Sequence, residues 1–432
     1  MPKASARLSI FLFVTATGCA AGPAPSPLAA TPAAPSAPSP PTASAPTAPS
    51  PATLAADALH RSAIVVDTHD DVTQRLALED ADLSHPFPDA QTDLPRMQAG
   101  GLDAEFLSVW VPPELYPGDK AYTYSIAQFD AIDRLVSRSA GVAVLARSVA
   151  EVRSAAAANK IAFLIGVEGA HGLGDAPDER LMARLREFYD RGARYMTLTW
   201  SNSNRLGGSS GDAGKTRGLT PFGVRMVKAM NELGMMVDVS HVSDATFFDA
   251  VKASAKPVLA SHSSSRALCD HPRNMTDDML RAVRDNGGAV CVNFGQEFLD
   301  AGWHEQWGVL QKSLGGEIAS IVKEHPGDPK AVQLAFLPRY RALAAQLPRV
   351  PASRAVDHIE HIASVAGVDH VCLGSDFDGI PFGPAGLDDV SKFPFITEEL
   401  SRRGFSPDDI RKILGENVLR VLAANEVKPK EP

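Results

Sequence analysis

From Ile64 onward, short runs of β-branched and apolar residues alternate with longer stretches whose apolar positions recur at helical spacing. That alternation is the mark of repeated βα units around a parallel sheet. Strands are expected at 64–67, 104–111, 162–167, 195–199, 235–240, 257–261, 289–294 and 370–374. Eight strands spread over roughly 360 residues suit a (β/α)8 barrel of the TIM type better than an open doubly wound sheet. No Gly-x-Gly-x-x-Gly follows the first strand, so a dinucleotide site is not expected. The longest gap, 294–370, carries helical patterns around 317–323 and 333–347 and reads as a long helical insertion before the last strand.

The first 56 residues break this pattern. Lys3 and Arg7 precede an apolar run, 8–14, that is too short to span a bilayer and has the form of an export signal. Ala16-Thr17-Gly18-Cys19 resembles a bacterial lipoprotein cleavage box, with Ala16 where Leu is more usual, which makes Cys19 a candidate lipidation site. Between Cys19 and Asp57 there is no charged residue, and Ala, Pro, Ser and Thr dominate. Such a composition cannot bury enough apolar surface to fold and predicts a Pro-stiffened tether. The expected organisation is a signal segment over 1–19, a tether over 20–56, the barrel over 57–425 and a tail over 426–432. This implies an exported protein of the cell envelope or periplasm, anchored to a membrane by lipid.

The net charge is -9, without a long basic block, which argues against a nucleic-acid partner and for a small-molecule one. Four cysteines, Cys19, Cys269, Cys291 and Cys372, are too few and too scattered for a disulfide scaffold or a Cys-based zinc knot. Any metal must therefore use His and carboxylate ligands.

In a TIM-type barrel the chemistry sits at the C-terminal ends of the strands. Strand one closes on Asp67-Thr68-His69-Asp70-Asp71, and His69 and Asp71 are two apart, so on extended chain both point the same way. Strand three runs into Gly166-Val167-Glu168-Gly169, a carboxylate beside glycines that let a bulky site approach. Strand five closes on His241, strand six on His262 and strand eight on Asp376. Any one such residue is more often a cap or a satisfied polar group, but five ends supplying only His, Asp and Glu converge on one rim. Two His, one shared carboxylate and a His/Asp pair are the count for two zinc ions.

Competing motifs fall away. The Gly214-Lys215-Thr216 tripeptide lacks the earlier glycine of a P-loop, since Ser209 stands there. His304-Glu305 lacks the second His of the helical zinc-protease motif. His358 and His361, three apart on an expected helix, suit packing or solvent. No Gly-x-Ser-x-Gly elbow occurs, which disfavours a serine hydrolase.

From about Ile64 to Leu422 the chain resembles the renal (membrane) dipeptidase family of zinc metallopeptidases, a branch of the amidohydrolases. The resemblance rests on the strand-end motifs above together with Asp238-Val239-Ser240-His241-Val242-Ser243, Ser261-His262-Ser263-Ser264, Arg273-Asn274 and Gly374-Ser375-Asp376-Phe377-Asp378-Gly379. It implies that His69 and Asp71 bind one zinc, His241 and His262 bind a second, and Glu168 bridges the two. It further implies that Arg273 takes the substrate's carboxylate and that Asp376 is the acid/base. The sequence departs from the family at Trp200, where the family usually places a His that contacts the developing oxyanion. Trp200 offers one neutral donor and much bulk, which predicts an altered rate and substrate range.

The leading expectation is a binuclear zinc dipeptidase that cuts the single peptide bond of dipeptides, including those with a C-terminal D-residue. The rivals are a related zinc amidohydrolase acting on another amide or a lactone, and a lipoprotein that has lost catalysis and only binds peptides. A homodimer is the candidate assembly.

Overall fold

The computed structural model describes residues 50–212 and 217–427. The expected signal segment, Cys19, almost all of the tether, the Gly214-Lys215-Thr216 tripeptide and residues 428–432 lie outside the described residues.

A helix, Pro51–Ser62, opens the described chain. The Ser50 hydroxyl caps it by accepting from the Thr53 N–H, and Pro51 sits in the first turn, where a missing N–H is harmless. It packs on helix Pro394–Arg402 and buries Ala56 and His60, whose ring bonds Thr397 Oγ1 and Gly100 O, both at 2.7 Å. Residues 51–56, which composition assigns to the tether, are therefore helical. The Ala-rich tether and the Ala-rich first turns look alike by composition, and the Ser-Pro start does not separate them, since Ser26-Pro27 and Ser39-Pro40 stand in the tether as well.

The strands are β1 (Val66–Asp70), β2 (Ala104–Trp110), β3 (Ala143–Leu145), β4 (Ile161–Glu168), β5 (Ala193–Thr197), β6 (Met236–Asp238), β7 (Leu259–Ala260), β8 (Ala289–Val292) and β9 (Val371–Leu373). All but β3 form a closed parallel barrel in the order β1-β2-β4-β5-β6-β7-β8-β9, with β9 pairing back to β1. Each of the eight expected strands overlaps one of these. The extra strand, β3, pairs with the first three residues of β4, below the stretch that β5 takes. At three residues it is too short to show a period.

Alternation along the strands builds two apolar layers. Val66, Phe106, Leu164, Tyr195, Met236 and Leu259 pack together, while the opposite face, with Leu107, Val109, Phe163, Ile165 and Val167, packs on the surrounding helices. Full burial of each large side chain is worth about 1.5–3 kcal/mol. Cys291 and Cys372 stand opposite each other on β8 and β9 and form a disulfide, while Cys269 is buried and free.

The expected insertion lies between β8 and β9 and holds helices Gln296–Leu299, Ala301–Glu324, Pro329–Ala344 and Ser353–Ala366. Gln333 Nε2 donates to Tyr116 Oη at 3.1 Å, and the Arg341 guanidinium donates to Asp89 O and lies 3.7 Å from the Asp378 carboxylate. Helix Pro329–Ala344 is thereby laid across the barrel's C-terminal mouth. His358 is a packing residue: its Nδ1 accepts from the Ser265 N–H and its Nε2 donates to Leu299 O, both at 3.0 Å. His361 pairs with Asp277 at 2.8 Å.

Candidate metal centre

Five strand ends, those of β1, β4, β6, β7 and β9, deliver His69 and Asp71, Glu168, His241, His262 and Asp376 to one rim. On β1 the register slips between Asp67, opposite Glu105, and Asp70, opposite Leu107, so three steps on β1 face two on β2. The extra residue re-aims the end of the strand, as bulges beside active sites do. His69 and Asp71 turn inward, with His69 Nε2 3.6 Å from Asp71 Oδ2, while Asp70 is held elsewhere by the Val72 N–H and Thr92 Oγ1.

Glu168, at the end of β4, reaches both halves of the site with different atoms. Its Oε2 lies 3.6 Å from His69 Nε2, and its Oε1 lies 2.8 Å from His241 Nε2 and 3.5 Å from His262 Nε2. The two groups His69/Asp71/Glu168 and Glu168/His241/His262 each converge closely enough to hold one ion. The sequence-predicted ligands are thus brought together as two sets joined through one carboxylate.

The donor set fits a metal. His69 Nε2 and Asp71 Oδ1 are buried without a hydrogen-bond partner among the described residues, a state that costs roughly 1–3 kcal/mol per group unless something else satisfies it. His241 Nε2 and His262 Nε2 face each other at 2.8 Å, where two lone pairs repel unless a cation or a proton lies between. Gly379 leaves room for the cluster, because a Cβ there would stand 2.2 Å from Asp71 Oδ2.

The surroundings fix which ring nitrogen carries the proton. Tyr195 gives its hydroxyl proton to Thr68 O at 3.0 Å, so at 2.7 Å from His69 Nδ1 it can only accept, and the bare His69 Nε2 faces the site. Ser261 gives its proton to Asp238 Oδ2 at 2.7 Å and accepts from His262 Nδ1 at 2.8 Å, which bares His262 Nε2 in the same way. Such partners orient metal-binding histidines and raise their basicity. Tyr195 crosses the barrel only because residue 166 is glycine; a Cβ there would lie 1.9 Å from the Tyr195 ring.

Burial raises the Glu168 carboxyl to about 7, with Asp71 adding to the effect and His69 opposing it. Burial, with help from Arg273, pushes His241 and His262 well below the ordinary histidine value. Each is a neutral ligand near pH 7. At His69 burial opposes the charged form, but Tyr195 and Glu168 outweigh it and raise the group well above its ordinary value.

Asp376 follows β9 at φ 64, and His241 follows β6 at φ 65. Residues other than glycine adopt this left-handed backbone only uncommonly. Asp376 Oδ2 accepts from Asn293 Nδ2 at 2.8 Å, and the group converges with His69 and His262. Burial raises its carboxyl to about 6, against the opposing pull of His69.

Arg273, in the loop after β7, is buried and lies over the Phe298 ring at 5.5 Å. Its guanidinium donates to His262 O at 3.1 Å and Ser263 Oγ at 3.4 Å, with no carboxylate bridged to it among the described residues. Trp200 lines the same cavity, 5.0 Å from the Trp110 ring and 6.3 Å from that of His241. The cavity measures about 260 Å³, with Asp71, Glu168, His241 and Asp376 at its floor and aliphatic side chains of the insertion at its roof.

Sequence inspection passed over Tyr195, Asn293, Ser261 and Asp238 as site residues. They set the rotamer and proton of a neighbour, and three of them are neither His nor carboxylate, while Asp238 at the end of β6 is masked by His241 beside it. Asn293 leaves a signal as the polar residue that ends the apolar run of β8, and Asp238 and Ser261 stand within the strand-end motifs. A further cluster, His271, Glu297 and His304, converges beside Arg273. The Arg273 N–H occupies His271 Nδ1 at 3.0 Å, which leaves the proton on Nε2 and makes the group a poor ligand set.

A family model described as membrane dipeptidase, peptidase family M19, matches residues 54–431. Dipeptidase verJ of Clonostachys rogersoniana is 33% identical over 347 residues, covering 78% of this chain and 76% of that protein. An uncharacterized dipeptidase of Schizosaccharomyces pombe is 34% identical over 388 residues, 85% of this chain and 82% of that one. Among solved structures, the dipeptidase AC, a metallo peptidase of family M19, superposes with a TM-score of 0.68 at 26% identity over 84% of this chain and 98% of its own. A metallo peptidase from Rhodobacter sphaeroides, liganded with a phosphinate mimic of the dipeptide L-Ala-D-Ala, gives a TM-score of 0.68 at 25% identity over 84% of this chain and all of its own.

Proposed function

We propose, from the premise that this chain belongs to the membrane dipeptidase family of zinc metallopeptidases, that it is a binuclear zinc dipeptidase which accepts a D-residue at the C-terminal position. The observation that carries the two-ion reading is Glu168, whose two oxygens address separate ligand pairs. The D-residue reading is supported by the L-Ala-D-Ala mimic held by the Rhodobacter sphaeroides relative.

In this reading His69 and Asp71 hold one ion, His241 and His262 the other, and Glu168 both. Zinc bound there supplies a Lewis acid for the scissile carbonyl and acidifies water at neutral pH. Arg273 offers its planar fork to the free C-terminal carboxylate and so restricts the enzyme to very short peptides. Asp376, oriented by Asn293, takes the proton of the attacking water and returns it to the leaving amine. Trp200 offers its indole N–H near the carbonyl oxygen in place of the family's usual imidazole. Export, with lipid attached at Cys19, belongs to the same proposal.

The test is metal analysis and kinetics of purified protein on L-L and L-D dipeptides. About two zinc ions per chain and cleavage of both classes are expected, with Glu168→Ala losing zinc and activity together. Full zinc and intact activity in Glu168→Ala would remove the bridging role. Normal zinc with no cleavage of any dipeptide would favour the amide or lactone reading.

A further inference from the structure

The cavity above the candidate centre is lopsided. Away from Arg273, in the loop after β7, Leu78, Trp110, Leu115, Ile321, Val332 and Leu337 form an apolar wall, and the polar amides beside it are engaged within the protein, Gln74 by Trp110 O, Gln128 and Tyr124 and Gln333 by Tyr116. In the ring order, β2 is four strands from β7 in either direction, so the two stand on opposite sides of the barrel. Trp110 ends β2 and Leu115 lies in the loop that follows it. Gln333 bonds Tyr116 in that same loop, which brings the helix carrying Val332 and Leu337 over this side.

A dipeptide is short enough that its ends are assigned by this layout. With its carboxylate on Arg273 and its peptide bond over the centre, its N-terminal residue extends away from β7, toward β2. Leu115 and Leu337 keep part of their surface open there and lie outside the two packed core clusters. The basic group on this side, Arg75, pairs with Glu79 and lies over the Phe87 ring, with only its Nη1 left without a hydrogen-bond partner among the described residues.

We infer that the β2 side of the cavity is a specificity pocket for the N-terminal residue, and that it selects dipeptides whose N-terminal side chain is large and apolar. This rests on the dipeptidase reading and on the role of Arg273. Each added methylene in such a pocket carries a modest preference, and a leucine-sized side chain on the order of 10–100-fold in kcat/KM.

The experiment measures kcat/KM of the zinc-loaded enzyme on Leu-Ala, Phe-Ala, Gly-Ala and Ala-Leu, then repeats it with Leu337→Asn and Leu115→Asn, both at partly open positions. Leu-Ala and Phe-Ala should exceed Gly-Ala by at least tenfold, and each variant should narrow that ratio severalfold. Equal rates on Leu-Ala and Gly-Ala, or a preference that follows the C-terminal residue instead, would overturn the inference and leave the dipeptidase reading standing. Failure to cleave any of the four would overturn both. A ratio unchanged in the two variants would show that the wall does not select.

Discussion

Tyr195 is a positioning residue whose hydroxyl, itself anchored on Thr68 O, holds the proton on His69 Nδ1 and leaves Nε2 bare. Tyr195→Phe keeps the ring that fills the barrel and removes that acceptor together with the hydroxyl's bond to Thr68 O. Zinc affinity is expected to fall roughly 10–100-fold, the usual effect of removing a partner behind a ligand. Competition with a chelator of known affinity measures it, and an unchanged affinity would count against the assignment. Trp200 stands where the resemblance expects a histidine. If the indole gives a weaker hydrogen bond than imidazole to the developing oxyanion, Trp200→His should raise kcat on ordinary dipeptides by more than it changes KM, by as much as about 10²-fold. Steady-state kinetics at matched zinc content separate the two constants, and a change confined to KM would place Trp200 in ground-state binding alone.

Among the elements, the bulge in β1 and the helix across the mouth decide most. The bulge lets one short strand supply His69 and Asp71 inward while Asp70 anchors the neighbouring loop through Thr92. Helix Pro329–Ala344 is held over the cavity by Gln333 at one end and by Arg341 near the other, where the guanidinium meets Asp89 O and the Asp378 carboxylate. Arg341→Ala should loosen that roof without touching the floor. A severalfold rise in KM with kcat much less affected is the expected result, read from initial rates across substrate concentration. Loss of kcat at unchanged KM would mean that the helix acts on the chemistry instead.

For the whole molecule, Glu105 is a fully buried carboxyl outside the centre that burial opposes in its charged form. It sits on β2 opposite Asp67, fully buried, with neither carboxylate oxygen hydrogen-bonded among the described residues. Burial raises it well above the ordinary carboxylate value, and Asp67 and Asp70 add to the effect. A group raised in the folded state stabilises the fold below its unfolded pKa, and that contribution is lost as pH rises toward the folded pKa. The loss is at most about 1.4 kcal/mol per pH unit. Glu105→Gln cannot ionise, so its Tm should exceed that of the parent by a margin that widens from about pH 5 upward. Thermal melts at several pH values check this; a constant margin would show that the effect is packing and not charge. On the acid side, burial lowers His171 and His358 each to about 4, so both oppose folding as pH drops below the ordinary histidine value.

Periodicity located all eight barrel strands and the helical insertion, because a parallel barrel buries both faces of each strand and leaves runs of apolar residues that sequence displays directly. The convergence of His69, Asp71, Glu168, His241 and His262 was legible for a related reason: strand ends in this architecture share one rim, so position along the chain implies position in space. Where chain position and space part company, the sequence was silent. It could not show that an extra residue in β1 turns His69 toward Glu168, that Gly166 exists for the Tyr195 ring, or that Asn293 faces Asp376. Nor could it divide the tether from helix Pro51–Ser62, whose stability comes from docking on a helix more than 300 residues away, through Ala56 and His60. Those features depend on contacts between distant segments, and pairwise packing across a closed barrel is decided only when the whole sheet has formed.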